Sequence, residues 1–138
     1  MIKQTVKYVD FNGDEREEKL YFHLSDLDRT RLEAKYITGG YRSLEEYLNG
    51  LVAEGSPAPI MEFLEDFILS AYGVRSADGR KFEKTKKIRE DFEYSIAYAE
   101  LFADIFTNQE KMEAFVKGVI QPPTAQPSDK KAPVSVIS

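Results

Sequence analysis

Between Pro57 and Tyr72 apolar side chains recur at three- and four-residue intervals. Ile60, Phe63, Leu64, Phe67, Ile68, Ala71 and Tyr72 share one face, and Glu62, Glu65, Asp66 and Ser70 fill the other. That period predicts an amphipathic helix. Ser56 is placed to cap it, Pro57 suits the first helical position because its missing N–H is not needed there, and Gly73 is expected to end it in the left-handed conformation. The period resumes with Ile88, Phe92, Ile96, Ala99, Phe102, Ile105 and Phe106, and neither Pro nor Gly occurs between Thr85 and Thr107. One helix over residues 85–106 would be about 33 Å long at 1.5 Å per residue. Tyr94, Tyr98 and Leu101 put apolar surface on a second face, so a break near Ser95 is the alternative. In the charged connector Asp78-Gly79 is a turn signal, and Val74 to Phe82 reads as a tight loop or a very short hairpin, with Phe82 closing over the start of the helix pair.

The period changes to two near the N-terminus. Ile2, Val6 and Tyr8 alternate with Lys3, Thr5 and Lys7, and Leu20, Phe22 and Leu24 alternate with Lys19, Tyr21 and His23. With Asn12-Gly13-Asp14 as the turn, residues 2–24 predict a β-hairpin. A lone hairpin is marginal in water, so its apolar face must lie on the helices or on another molecule. Lys3, Lys7, Glu17 and Lys19 protect its edges from uncontrolled pairing, although the same edges could accept a partner's strand. Ser25 caps a short helix through about Tyr36 whose stripe of Leu27, Leu32, Ala34 and Ile37 is weak, and Gly39-Gly40 breaks it. Ser43-Leu44-Glu45-Glu46 is a capping box, and Leu44, Tyr47, Leu48, Leu51 and Val52 predict a helix to about Glu54, before Gly55. A last helix is expected from Thr107, with Glu110 three residues on, carrying Met112, Phe115, Val116 and Val119 inward and weakened at its end by Gly118.

The expected fold is therefore mainly α (α+β): one domain over residues 1–120, with a hairpin at 1–24 followed by about five helices packed as a small bundle. Its core should include Phe63, Phe67, Ile68, Phe92, Phe102 and Phe115. Residues 121–138, rich in Pro, Ser and Lys, have no apolar period to offset the entropy of ordering them and predict a disordered tail.

At 138 residues one core suffices without disulfides or metal, and the chain has no cysteine. No apolar run approaches the roughly 20 residues that cross a bilayer, and the first residues are strand-like rather than a signal, so no membrane association is expected. The net charge of −5 argues against affinity won by neutralising phosphates. Arg80, Lys81, Lys84, Lys86, Lys87 and Arg89 form the one basic patch, but Glu83, Glu90 and Asp91 are interspersed, which favours a solvated helix start over a nucleic-acid site.

Candidate chemistry is sparse. His23, the only histidine, has no patterned ligands beside it, whereas a metal needs three or four, and it reads as a strand residue on the hairpin's outer face. Glu62, Glu65 and Asp66 read as the solvated face of their helix rather than as an acid–base pair. Asp10 to Asp14 lacks the twelve-residue spacing of a calcium loop. No phosphate-cradling loop or nucleophile elbow is present, so neither catalysis nor a cofactor is expected. Eight tyrosines suit core edges whose hydroxyls reach water, or a protein-binding face.

Three stretches carry a family resemblance: KQTVKYVDFNGDEREEKLYFHLS at 3–25, AYGVRSADGRKFEKTKKIREDFEYSIAYAELF at 71–102, and AFVKGVIQP at 114–122. Together they resemble the tail assembly chaperones of long-tailed, siphovirus-type bacteriophages of Gram-positive hosts, over roughly the first 122 residues. Ala99 stands where serine is more usual, and Ile37 to Arg42 is the most divergent segment. The resemblance implies a protein of the infected host's cytoplasm, absent from the mature virion, that binds the tape measure protein and keeps it soluble for tail-tube polymerisation. It implies copies of the chain itself and the major tail protein as further partners, and no nucleic acid. A late frameshift that appends a second domain is also implied, and Lys130-Lys131 is the candidate slip point because paired lysine codons can form a run of adenines. Tyr72, Tyr94, Tyr98 and Phe102 are the residues expected to bind the partner. A structural tail or head-tail connector subunit is the first alternative, and a small nucleic-acid-binding regulator the second.

Overall fold

The computed structural model describes residues 1–37 and 39–120. Strands β1 (Ile2–Val9) and β2 (Glu15–Phe22) form the predicted hairpin, paired antiparallel with Ile2 opposite Phe22 and Val9 opposite Glu15. Gly13 turns it with φ +87°, a conformation that glycine adopts without a Cβ penalty. The Asp10 carboxylate accepts from the Asn12 and Asp14 N–H groups and from Arg16 Nε, so the tip is tied by its own side chains. Val6, Leu20, Phe22 and Leu24 are buried on one face, as the alternation requires.

Helix α1 (Asp26–Tyr36) starts at Ser25, whose hydroxyl accepts from the Asp28 N–H while the Asp28 carboxylate accepts from the Ser25 N–H. It buries Leu32 and Tyr36 and leaves Leu27 exposed, so the weak stripe divides. Helix α2 (Leu44–Glu54) ends at Gly55 with φ +78°. Its box is half formed: Ser43 Oγ takes the Glu46 N–H, but the Glu46 carboxylate accepts from Arg42 rather than from Ser43.

Helix α3 (Pro57–Ala71) runs through the core, and Phe63, Leu64, Phe67, Ile68 and Ala71 have no solvent exposure. Both of its expected end signals differ. Ser56 makes no side-chain cap, and Gly73 is not left-handed, because the chain passes from Ala71 directly into strand β3 (Tyr72–Arg75). Glycine is required there for close approach: a Cβ would lie 2.5 Å from the Phe82 ring and 2.9 Å from the Glu83 carbonyl oxygen. Strand β4 (Phe82–Glu83) pairs with β3, and Asp78 holds the turn by accepting from the Ser76 hydroxyl and the Arg80 N–H. Of the two readings of residues 74–82, the short hairpin is therefore the one that forms. Phe82 closes over Gly73 and the His23 ring rather than over the helix pair. Since β3 also pairs with β2, the sheet order is β1-β2-β3-β4, so the hairpin is extended by two short strands while the helices pack on one another as the expected bundle, with the helix Ile96–Phe106 against β1 and the helix Lys86–Glu93 against β3.

The chain breaks at Ser95, whose hydroxyl accepts from the Tyr98 N–H, and this separates α4 (Lys86–Glu93) from α5 (Ile96–Phe106). Helix α6 (Gln109–Ile120) starts later than predicted. Thr107 belongs to the end of α5 and donates to the Ala103 carbonyl, while Asn108 Oδ1 caps α6 by accepting from the Lys111 N–H. The described residues thus hold six helices against the about five expected, the break near Ser95 being the alternative that forms. The Phe22 ring joins the layers, lying 5.1 Å from Phe115 and 6.0 Å from Phe92, both edge-on. Of the predicted core, Phe63, Phe67, Ile68, Phe92 and Phe115 are buried and Phe102 is only half-buried. The predicted tail lies outside the described residues.

Candidate partner-binding face

The titratable residues that sequence reasoning weighed serve the fold. Asp66 is not solvated: its carboxylate accepts from Lys35 Nζ and the Tyr36 hydroxyl, with Arg89 4.0 Å away. Burial works to raise its pKa, but Lys35 and Tyr36 outweigh burial and hold it below the ordinary carboxylate value. The basic patch is likewise dispersed. Lys84 Nζ turns inward and donates to the His23 carbonyl at 2.6 Å, the Ser70 carbonyl at 2.8 Å and Asp28 Oδ2 at 2.8 Å, while Lys87 pairs with Asp91 on its own helix. His23 is half-buried against Phe82 rather than displayed on an outer face. Burial, then the Met1 amino group and Lys84, push its imidazole pKa below 6.5. No group of three or more His, Cys, Asp or Glu side chains among the described residues could hold a metal. No helix among them is long and apolar enough to cross a membrane.

A candidate site of a different kind lies on α5. The Ser95 break resets the helical phase, so Ala97, Tyr98, Leu101 and Ile105 point inward. Ala99 and Ala103 are exposed, and Phe102 and Phe106 are half-buried with rings stacked 5.7 Å apart at 17°. These four stand at the i, i+3, i+4, i+7 spacing of one helix face. The result is an outward stripe that alternates small and large apolar residues, in which the alanines allow another backbone to approach and the phenylalanines flank it. Exposed Glu100 lies beside it, as does exposed Asp104, which is paired with Lys111 at 2.8 Å.

Rings connect this stripe to the sheet. Tyr72 stacks on Phe92 at 3.9 Å and 11°, Phe92 meets Tyr98 at 5.2 Å, and Tyr98 meets Phe102 at 5.9 Å. Three of the four expected partner residues, Tyr72, Tyr98 and Phe102, thus belong to one aromatic ladder, whereas Tyr94 stands outside it, 81 % exposed at the α4–α5 junction. Tyr98 is buried and its hydroxyl has no hydrogen-bond partner among the described residues. Ala103 was not singled out by the sequence reading, and Ala99 and Phe106 were placed inward with the core period. The repeat A-x-x-F-A-x-x-F at 99–106 is the signal that separates this face from the core.

No curated protein and no solved structure matched the chain. A protein-family model described as a phage tail assembly chaperone matches residues 1–133. That span includes the sheet, all six described helices and the α5 stripe, and a chaperone role is a non-enzymatic one. The chain belongs to the phage tail assembly chaperone family.

Proposed function

We propose that this chaperone binds the tape measure protein of a long-tailed, siphovirus-type phage in the cytoplasm of a Gram-positive host. It keeps that long, largely helical chain soluble until tail-tube subunits polymerise around it, and leaves before the virion is complete. The observation that carries this reading is the apolar stripe of exposed Ala99 and Ala103 and half-buried Phe102 and Phe106 on α5. Such a stripe suits an amphipathic helix laid along it. Completing the burial of each half-buried phenylalanine contributes about 1 kcal/mol at ~25 cal/mol per Å², less than tenfold in affinity apiece. Contacts of that size hold a client yet yield to incoming tube subunits. The net charge of −5 keeps loaded complexes apart. Copies of the chain itself and the major tail protein are further partners under the same reading.

Co-expression with the tape measure protein tests this proposal. The expected result is a higher soluble yield of that protein and its co-purification with the tagged chaperone. Neither effect, together with abundant chain in purified virions, would replace the reading with that of a structural tail subunit.

A further inference from the structure

The sheet contains an unfilled strand position. Asp10 N–H donates to the Asp14 carbonyl, so in the register of β1 and β2 the even-numbered residues of β2 bond to β1 and the odd-numbered ones face away from it. The far side follows the same parity, since the His23 N–H donates to the Ala71 carbonyl and Tyr21 pairs with Gly73. The next pair in this register would be Lys19 opposite Arg75, and it does not form, because β3 peels away from β2 after Gly73. Ser76 N–H donates to the Lys81 carbonyl, which turns the backbone of Val74 and Ser76 toward β4 and that of Arg75 toward the gap. The gap is a cleft of about 500 Å³ between Lys19 and Tyr21 on one wall and Val74 to Ala77 on the other. The outward backbone groups of Glu15, Glu17 and Lys19 continue its first wall. Arg75 is pinned over the Tyr21 ring at 4.3 Å, and neither it nor Lys19 forms an ion pair among the described residues.

We propose that this cleft receives an extended, carboxylate-bearing segment of a partner polypeptide, which adds as a strand to the free edge of β2. Backbone groups of Glu17 and Lys19 supply the pairing, and Lys19 and Arg75, the charged side chains that line the cleft, select an acidic side chain. Taking the segment from the tape measure protein rests on the reading above. The site is separate in chemistry from the α5 stripe: it reads extended acidic sequence where α5 reads helical apolar sequence, so one client could engage both.

The test is binding of overlapping synthetic segments spanning the tape measure protein to wild-type chaperone, to Glu17→Pro, and to the double variant Lys19→Glu/Arg75→Glu. Proline at 17 removes a donor from the free edge only, because that N–H is not used by β1. Circular dichroism establishes that each variant is folded. The expected result is a set of segments carrying an Asp or Glu that bind the wild type and lose at least tenfold in both variants, with the acidic position opposite Lys19 and not opposite Glu15 or Glu17, where like charges would repel. Should Glu17→Pro fail to fold, the charge-reversed protein decides alone. Undiminished binding of every segment to the folded variants would overturn the strand site and leave the tape-measure reading standing. If no segment binds the wild type, both fall.

Discussion

Replacing Lys84 by Met should remove the clamp that joins four elements through one ammonium group. Lys84 follows β4, and its Nζ donates to the carbonyl of His23 after β2, to that of Ser70 in the last turn of α3, and to Asp28 at the start of α1. The Lys84 and Asp28 side chains are only 22 % and 23 % exposed, so solvent replaces the lost bonds poorly. Removing one member of a buried pair costs about 3–5 kcal/mol. Discounting for the remaining exposure gives about 2–3 kcal/mol, which for a domain of this size lowers Tm by roughly 8–12 °C. The methylene stem keeps its packing in the Met variant, so the loss isolates the ammonium. Denaturant titration of Lys84→Met beside Lys87→Met supplies the scale, because Lys87 pairs with Asp91 on an open surface at 84 % and 67 % exposure. Surface pairs of that kind are worth about 0–1 kcal/mol. Equal losses in the two variants would refute the clamp.

Three further outcomes follow from the packing. Tyr98→Phe should raise stability by about 1 kcal/mol in thermal or urea unfolding, since it removes a buried hydroxyl that has no hydrogen-bond partner among the described residues. Gly73→Ala should cost about 1–3 kcal/mol and strip amide protection from β3 and β4 in hydrogen exchange, because the new methyl meets the Phe82 ring and the Glu83 backbone. His23 sits beside Lys84 and the Met1 amino group, with Asp28 the opposing charge, and its pKa in the folded state lies below 6.5. The unfolded chain therefore takes up the proton first, so stability should be full above pH 6.5 and decline as pH falls toward and through the folded value. His23→Gln should flatten that slope in unfolding curves taken between pH 7 and 5.

Local patterns written over adjacent residues were legible in the sequence. The hairpin register follows from the alternation at Ile2 to Tyr8 and Leu20 to Leu24, and α2 follows from Ser43 and Gly55, because each depends on neighbours in the chain. Gly73 was misread because a glycine after a helix is equally consistent with a left-handed cap and with close contact to a distant ring. Only the tertiary position of Phe82 decides between them. The fates of Asp66 and Lys84 were hidden for the same reason: their partners lie between 14 and 61 residues away, and a charge on a helix face reads as solvated until those partners arrive. In the candidate site, Phe102 and the tyrosines were visible as aromatic surplus. The outward placement of exposed Ala99 and half-buried Phe106 was not, since it depends on the phase reset at Ser95.

Hydrogen exchange of the chaperone with and without a soluble segment of the tape measure protein, joined to binding by Ala103→Glu, tests the central claim most directly. Ala103 is exposed, so the charge leaves the fold intact while placing a carboxylate in the middle of the stripe. The account predicts slowed exchange across Ile96 to Phe106 on binding and at least a tenfold weaker complex for Ala103→Glu. Unchanged exchange along that helix, with wild-type affinity in the variant, would contradict it.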